Sequence, residues 1–188
     1  MLASTRKAAI PFLLLAVSLV VFPFTVSAQA PLNSNVGNVT LSASVHTSFS
    51  VSLGVGTVNF ALLPGTAVTG APTVPITTSW SLNPGLIGSV KLYAYFDSST
   101  VALTDGTDNI PSADVLGRVS PGAFTAFTQA GPFGAAGASL LLFTQAISGT
   151  NKVDSRTDNL DVRIDLTGLP SLPAGDYTGT MRIQAQAL

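Results

Sequence analysis

From Val39 to Val55 the chain alternates without a break. Val39, Leu41, Ala43, Val45, Thr47, Phe49, Val51, Leu53 and Val55 share one phase, and Thr, Ser, His and Gly fill the other. Period two is the mark of a strand with one buried face. A strand usually runs about 5–6 residues, whereas this pattern covers 17. At about 3.3 Å per residue it would span roughly 55 Å, more than the diameter of about 40 Å expected for a domain of about 160 residues. Two outcomes follow. Either the strand bends near His46-Thr47-Ser48 and its halves join different sheets, or Val39–Val45 leaves the domain and pairs with another subunit.

Shorter alternating runs follow, punctuated by Pro and Gly. Val58, Phe60 and Leu62 form one that stops at Pro64-Gly65. Val74, Ile76, Thr78, Trp80 and Leu82 form the next. Beyond Asn83-Pro84-Gly85, Val90, Leu92, Ala94 and Phe96 alternate with Lys91, Tyr93, Tyr95 and Asp97. This pair of runs around a Pro-Gly turn predicts a hairpin. Residues 149–159 are the most polar stretch and read as an exposed loop. Leu160, Val162, Ile164 and Leu166 then form an inward phase, and a final strand is predicted from Asp176 to Leu188. No window holds a helical period. The expected fold is all-β: a two-sheet, immunoglobulin-like Greek-key sandwich of about 7–9 strands. A closed β-barrel is the alternative.

Composition adds a location. Arg6 and Lys7 precede an apolar core, Ala8–Phe24, and Val26-Ser27-Ala28 offers a small-x-small cleavage site. Residues 1–28 therefore read as a secretory signal peptide. Residues 29–188 read as a single exported domain, periplasmic, extracellular or at the cell surface, with no membrane insertion after cleavage. The chain has no Cys, which removes disulfides, thiolate metal sites and thiol catalysis. All nine acidic residues are Asp, a turn former rather than a helix former. There is no basic run, so nucleic acid is not an expected partner.

Candidate chemistry is sparse, and neither an enzyme nor a cofactor is expected. His46 lies on the polar phase of its strand, without the context of a catalytic triad. Asp105, Asp108 and Asn109 could offer oxygens to Ca²⁺, yet the calcium-loop spacing and its bidentate Glu are missing, so a solvated turn is expected. Asp154, Arg156 and Asp158 read as surface ion pairs, and Asp161 and Asp165 as carboxylates facing water. The glycine-rich Gly131–Gly137 lacks the Lys of a phosphate loop. Trp80 reads as a core anchor. Tyr93 and Tyr95 face outward in this reading and form the expected contact surface.

The C-terminal stretch LPAGDYTGTMRIQAQAL resembles the closing strand of chaperone–usher-type pilins, nearest the spore coat protein U-like family. The resemblance implies an incomplete immunoglobulin-like fold finished by a neighbour's N-terminal strand, fibre assembly at the cell surface, and a periplasmic chaperone as partner. It implies no catalytic residues. The leading expectation is thus a structural subunit that self-associates by strand addition, donating the face Val39, Leu41, Ala43 and Val45. Residues 29–45 would be the exchangeable segment. The alternative is a secreted or periplasmic binding module, an adhesin for a glycan or surface.

Overall fold

The computed structural model describes residues 39–44, 46–83 and 85–188. Residues 1–38, which hold the predicted signal segment and most of the predicted exchangeable one, lie outside the described residues, as do Val45 and Pro84. The longest strand, β10 (Val153–Asp165), organises the larger sheet. On one side it pairs with β3 (Val74–Ser81) through Val153–Leu160, and with the short β2 (Ala67–Thr69) through Arg163–Asp165. On the other side lies β7 (Val115–Val119), followed by β8 (Thr125–Ala126). The outermost strand on the β3 side is β1 (Ser48–Leu53). The order is β1-β3-β10-β7-β8, with β2 beside β10.

A second sheet holds β11 (Arg182–Ala187), β4 (Ser89–Tyr95) and β9 (Ser139–Ala146), in that order. A small hairpin, β5 (Leu103–Thr104) with β6 (Asn109–Ile110), completes the set. The described residues are all-β, sandwich-like and not closed into a barrel.

Alternation explains the core. Val74, Ile76 and Trp80 from β3, with Leu160, Val162 and Ile164 from β10, meet Val90, Leu92 and Ala94 of β4 and Leu140 of β9. Each such aliphatic side chain contributes about 1.5–3 kcal/mol when fully buried. Trp80 is a core anchor, as its phase predicts, and its indole Nε1–H donates to the Asn151 carbonyl at 2.8 Å.

Four expectations are corrected. The runs around Asn83 and Gly85 are not a hairpin: β3 belongs to one sheet and β4 to the other, so the chain passes from one sheet to the other between them. The predicted loop 149–159 is largely the first half of β10. There Arg156 sits opposite Thr78, on the inward face. It survives there because Asp158 accepts two bonds from its guanidinium, both 2.7 Å, and because the group lies 4.3 Å from the Phe143 ring centre.

Asp161 does not simply face water. It accepts hydrogen bonds from the Thr73 hydroxyl at 2.6 Å and from Arg118 Nε at 2.9 Å. The final strand begins at Arg182 rather than Asp176, because Thr178 pairs instead with Thr104 through reciprocal 2.9 Å bonds.

Ser112 ties three connecting segments together. Its buried hydroxyl lies 2.8 Å from the Phe127 carbonyl, 3.0 Å from that of Gly137 and 3.3 Å from that of Ser99. Ser112→Ala removes the one hydroxyl proton that the buried Phe127 carbonyl accepts at the shortest distance and should lower stability by about 1–3 kcal/mol, read by chemical denaturation. The Asp161 carboxyl is held below its ordinary value by the Thr73 hydroxyl first and by Arg118. The unfolded chain therefore binds this proton first as pH drops through about 4. That stabilisation is present above pH 4 and is lost on acidification; Asp161→Asn should flatten this limb in pH-dependent unfolding.

Candidate functional site

The long alternation of the opening is divided. Phe49, Val51 and Leu53 lie in β1, whereas residues 39–44, His46 and Thr47 lie outside any strand. Val39 is 83% exposed and Leu41 91%, and Ala43 is exposed too. Val45 lies outside the described residues.

β1 and β11 are edge strands of different sheets. Gly54 N–H donates to the Pro75 carbonyl at 2.8 Å. Antiparallel alternation then turns the backbone groups of Ser52, Ser50 and Ser48 toward β3 and leaves those of Phe49, Val51 and Leu53 on the free edge. On the other sheet Leu188 and Ser89 exchange reciprocal bonds of 2.9 Å. By the same rule Ile183, Ala185 and Ala187 present their N–H and C=O groups outward. On both edges the unpaired backbone thus belongs to residues whose side chains pack against the core, Phe49, Val51, Ile183, Ala185 and Ala187, and to the exposed Leu53. β1 carries no charge and no Pro, the devices that normally blunt an edge.

Between these edges the two sheets part. Where Phe49 and Val51 approach Ile183 and Ala185, the gap is about 210 Å³. Further along it widens into a groove of about 730 Å³. One bank is the segment after β1, with Val55, Val58, Phe60 and Leu62. The other is the segment before β11, with Tyr177 and Met181. The floor is Val74, Val115, Val162 and Ile164.

Glycine shapes both banks. At Gly70 a β-carbon would collide with Val58 and Phe60, and at Gly179 with the Ala102 carbonyl. Only hydrogen at those positions lets the chain segments approach so closely. Asp176 stands at the groove, and the Tyr177 phenol is raised above its ordinary value by desolvation, then by Asp105 and Asp108.

The other sequence candidates are dispersed. Tyr93 is only 8% exposed, which corrects the outward reading. The loop carrying Gly131–Gly137 folds over it, and Phe133 meets its ring edge-on at 5.8 Å. Tyr95 is half-buried, stacked on the same Phe133, and donates to Gln184 Oε1 at 3.0 Å. His46 is exposed. Asp105 accepts from the backbone N–H groups of Thr107 and Asp108 at 2.9 and 2.7 Å, and these hold its carboxyl below the ordinary range. Among the described residues no group of three His or acidic side chains could hold a metal, and no helix is long and apolar enough to cross a membrane.

Sequence reasoning missed the groove. Its signal was the apolar run Val55, Val58, Phe60, Leu62, which alternates like a strand from Val58 on but forms none, apart from a single bridge from Asn59 to Ala71. No protein-family model matches the chain, and neither does any curated protein.

An apolar fluorescent dye should brighten on a chain of residues 29–188. Leu62→Ser with Met181→Ser should reduce that signal, whereas Leu141→Ser, remote from the groove, should leave it unchanged.

Proposed function

We propose that this chain is an exported structural subunit of a surface assembly, a pilin-like protein in which each copy accepts a β-strand from another. The groove between the β1 and β11 edges carries this reading. Its floor is apolar and its banks are mixed, and at Leu53 and Ile183 it meets the free edges of β1 and β11, whose unpaired backbone groups an added strand satisfies. The finer fold in this reading is immunoglobulin-like with Greek-key connections, left incomplete by one strand. A periplasmic chaperone would cover the same groove before assembly.

The occupant in this proposal is the Val39–Val45 segment of a second copy. Its odd residues are apolar and its even residues are Thr or Ser, so one face fills the groove while the other meets water. The segment is poorly suited to serve its own chain as a hairpin partner of β1. Only His46 and Thr47 separate Val45 from Ser48, and a two-residue hairpin turn needs positive φ, the province of Gly, Asn and Asp. The adhesin alternative retains Tyr95 with Phe133 as its platform, since Tyr93 is buried.

The test is gel mobility without boiling. The mature protein should run as a high-molecular-weight, heat-labile ladder, and deleting residues 29–45 should abolish the ladder and leave a folded monomer. A wild-type chain that stays monomeric at every concentration, or a deletion that keeps the ladder, would refute the proposal.

A further inference from the structure

The two sheets also part on the side away from β1 and β11. There β9 ends the smaller sheet. The first half of β10 ends the larger one, since among the described residues β7 pairs with β10 only from Leu160 onward. Leu82 N–H donates to the Lys152 carbonyl at 2.8 Å. Alternation then turns the backbone of Asp154, Arg156 and Asp158 toward β3 and leaves that of Val153, Ser155 and Thr157 on the open side.

This edge is as long as that of β1 but differently furnished. The Ser155 N–H, aimed outward, already donates to the Asp154 carboxylate at 2.8 Å. Arg156 and Asp158 stand in the seam as an ion pair, with the guanidinium against Phe143 of β9. The Asp158 side chain is 6% exposed and that of Arg156 36%, so the cation keeps some of its water. The β9 edge is occupied too. Gln129 and Ser139 exchange backbone bonds of 2.9 and 3.2 Å. The Gln129 side-chain oxygen accepts from the Leu141 N–H at 2.8 Å, and Asn151 Nδ2 donates to the Ala146 carbonyl at 2.8 Å.

We infer that Asp154, Arg156 and Asp158 bar an added strand from this second edge, so that a segment from another copy is admitted only between β1 and β11. The inference rests on the strand-addition reading and concerns its selectivity. The reason is register. A strand added here would bond to Val153, Ser155 and Thr157. Asp154, Arg156 and Asp158 would then fall in the non-hydrogen-bonded pairs, where opposing side chains come closest. The apolar face of Val39–Val45 would meet charge, and the Arg156 guanidinium would lose its remaining water, which is costly for an ion. Inward charge is a known means of keeping sheet edges from pairing. At β1 the inward positions are Phe49 and Val51, which the same face suits.

Amide hydrogen exchange on a chain of residues 29–188, with a synthetic peptide of residues 39–45, reads both edges at once. In the wild type the peptide should protect Ile183 and Ala185 and leave Ser155 and Thr157 unchanged. In a chain carrying Asp154→Ala, Arg156→Val and Asp158→Val, the latter two amides should gain protection and a second peptide should bind. Replacing both partners of a buried ion pair by apolar residues is often neutral for stability. Arg156→Gln with Asp158→Asn, closer in shape to the original pair, should shift the same two amides in the same direction if the valine chain does not fold. Protection of Ser155 and Thr157 in the wild type, or none there in a folded variant that still protects Ile183 and Ala185, would overturn the barrier and leave strand addition standing. No protection of Ile183 and Ala185 in the wild type would overturn both.

Discussion

The unpaired edge governs this molecule. A sheet that ends in an uncovered strand exposes N–H and C=O groups that water satisfies only partly once apolar side chains crowd the same edge. Here two such edges face one another across a gap, and the side chains of Phe49, Val51, Ile183, Ala185 and Ala187 behind them pack against the core. β1 offers the backbone of Phe49, Val51 and Leu53, and β11 that of Ile183, Ala185 and Ala187. Val162 and Ile164, themselves buried in the core, lie beneath the groove as its floor. The widening of the seam, the glycines at its banks and the charge-free β1 all bear on how that opening is covered.

Much of this was legible in the sequence because alternation survives wherever one face is buried. The inward phases of β3, β4 and β10 are those the pattern shows, and the break of the long run falls beside Ser48. The hairpin failed for a definite reason. Period two reports that a strand has a buried face, not which sheet it joins, and the turn from Leu82 to Gly88 is long enough to cross the roughly 10 Å between packed sheets. Residues 149–159 were obscure because Arg156 and Asp158 occupy inward positions, and what makes them tolerable is partly remote. Phe143 comes from another sheet, invisible to local reading.

The site was half legible. The face Val39, Leu41, Ala43 and Val45 stands out as a pattern without a destination, and length alone argued that the whole run could not lie straight against one domain. Its proposed receptor was hidden, since the banks are built from irregular segments at residues 54–62 and 175–181 that come together only in the folded chain. Tyr93 shows the opposite failure. Its phase is outward, yet the Gly131–Gly137 loop covers that part of the sheet and brings Phe133 onto it.

The most direct measurement of the central claim uses a synthetic peptide of residues 39–45 added to the monomeric mature chain and followed by amide hydrogen exchange. Strand addition predicts one peptide per chain, with new protection at Ile183 and Ala185. A peptide of the same composition with its apolar residues moved to the even positions should fail, because a one-residue shift turns every side chain to the other face. Equal protection by both peptides, or none by either, would contradict the account.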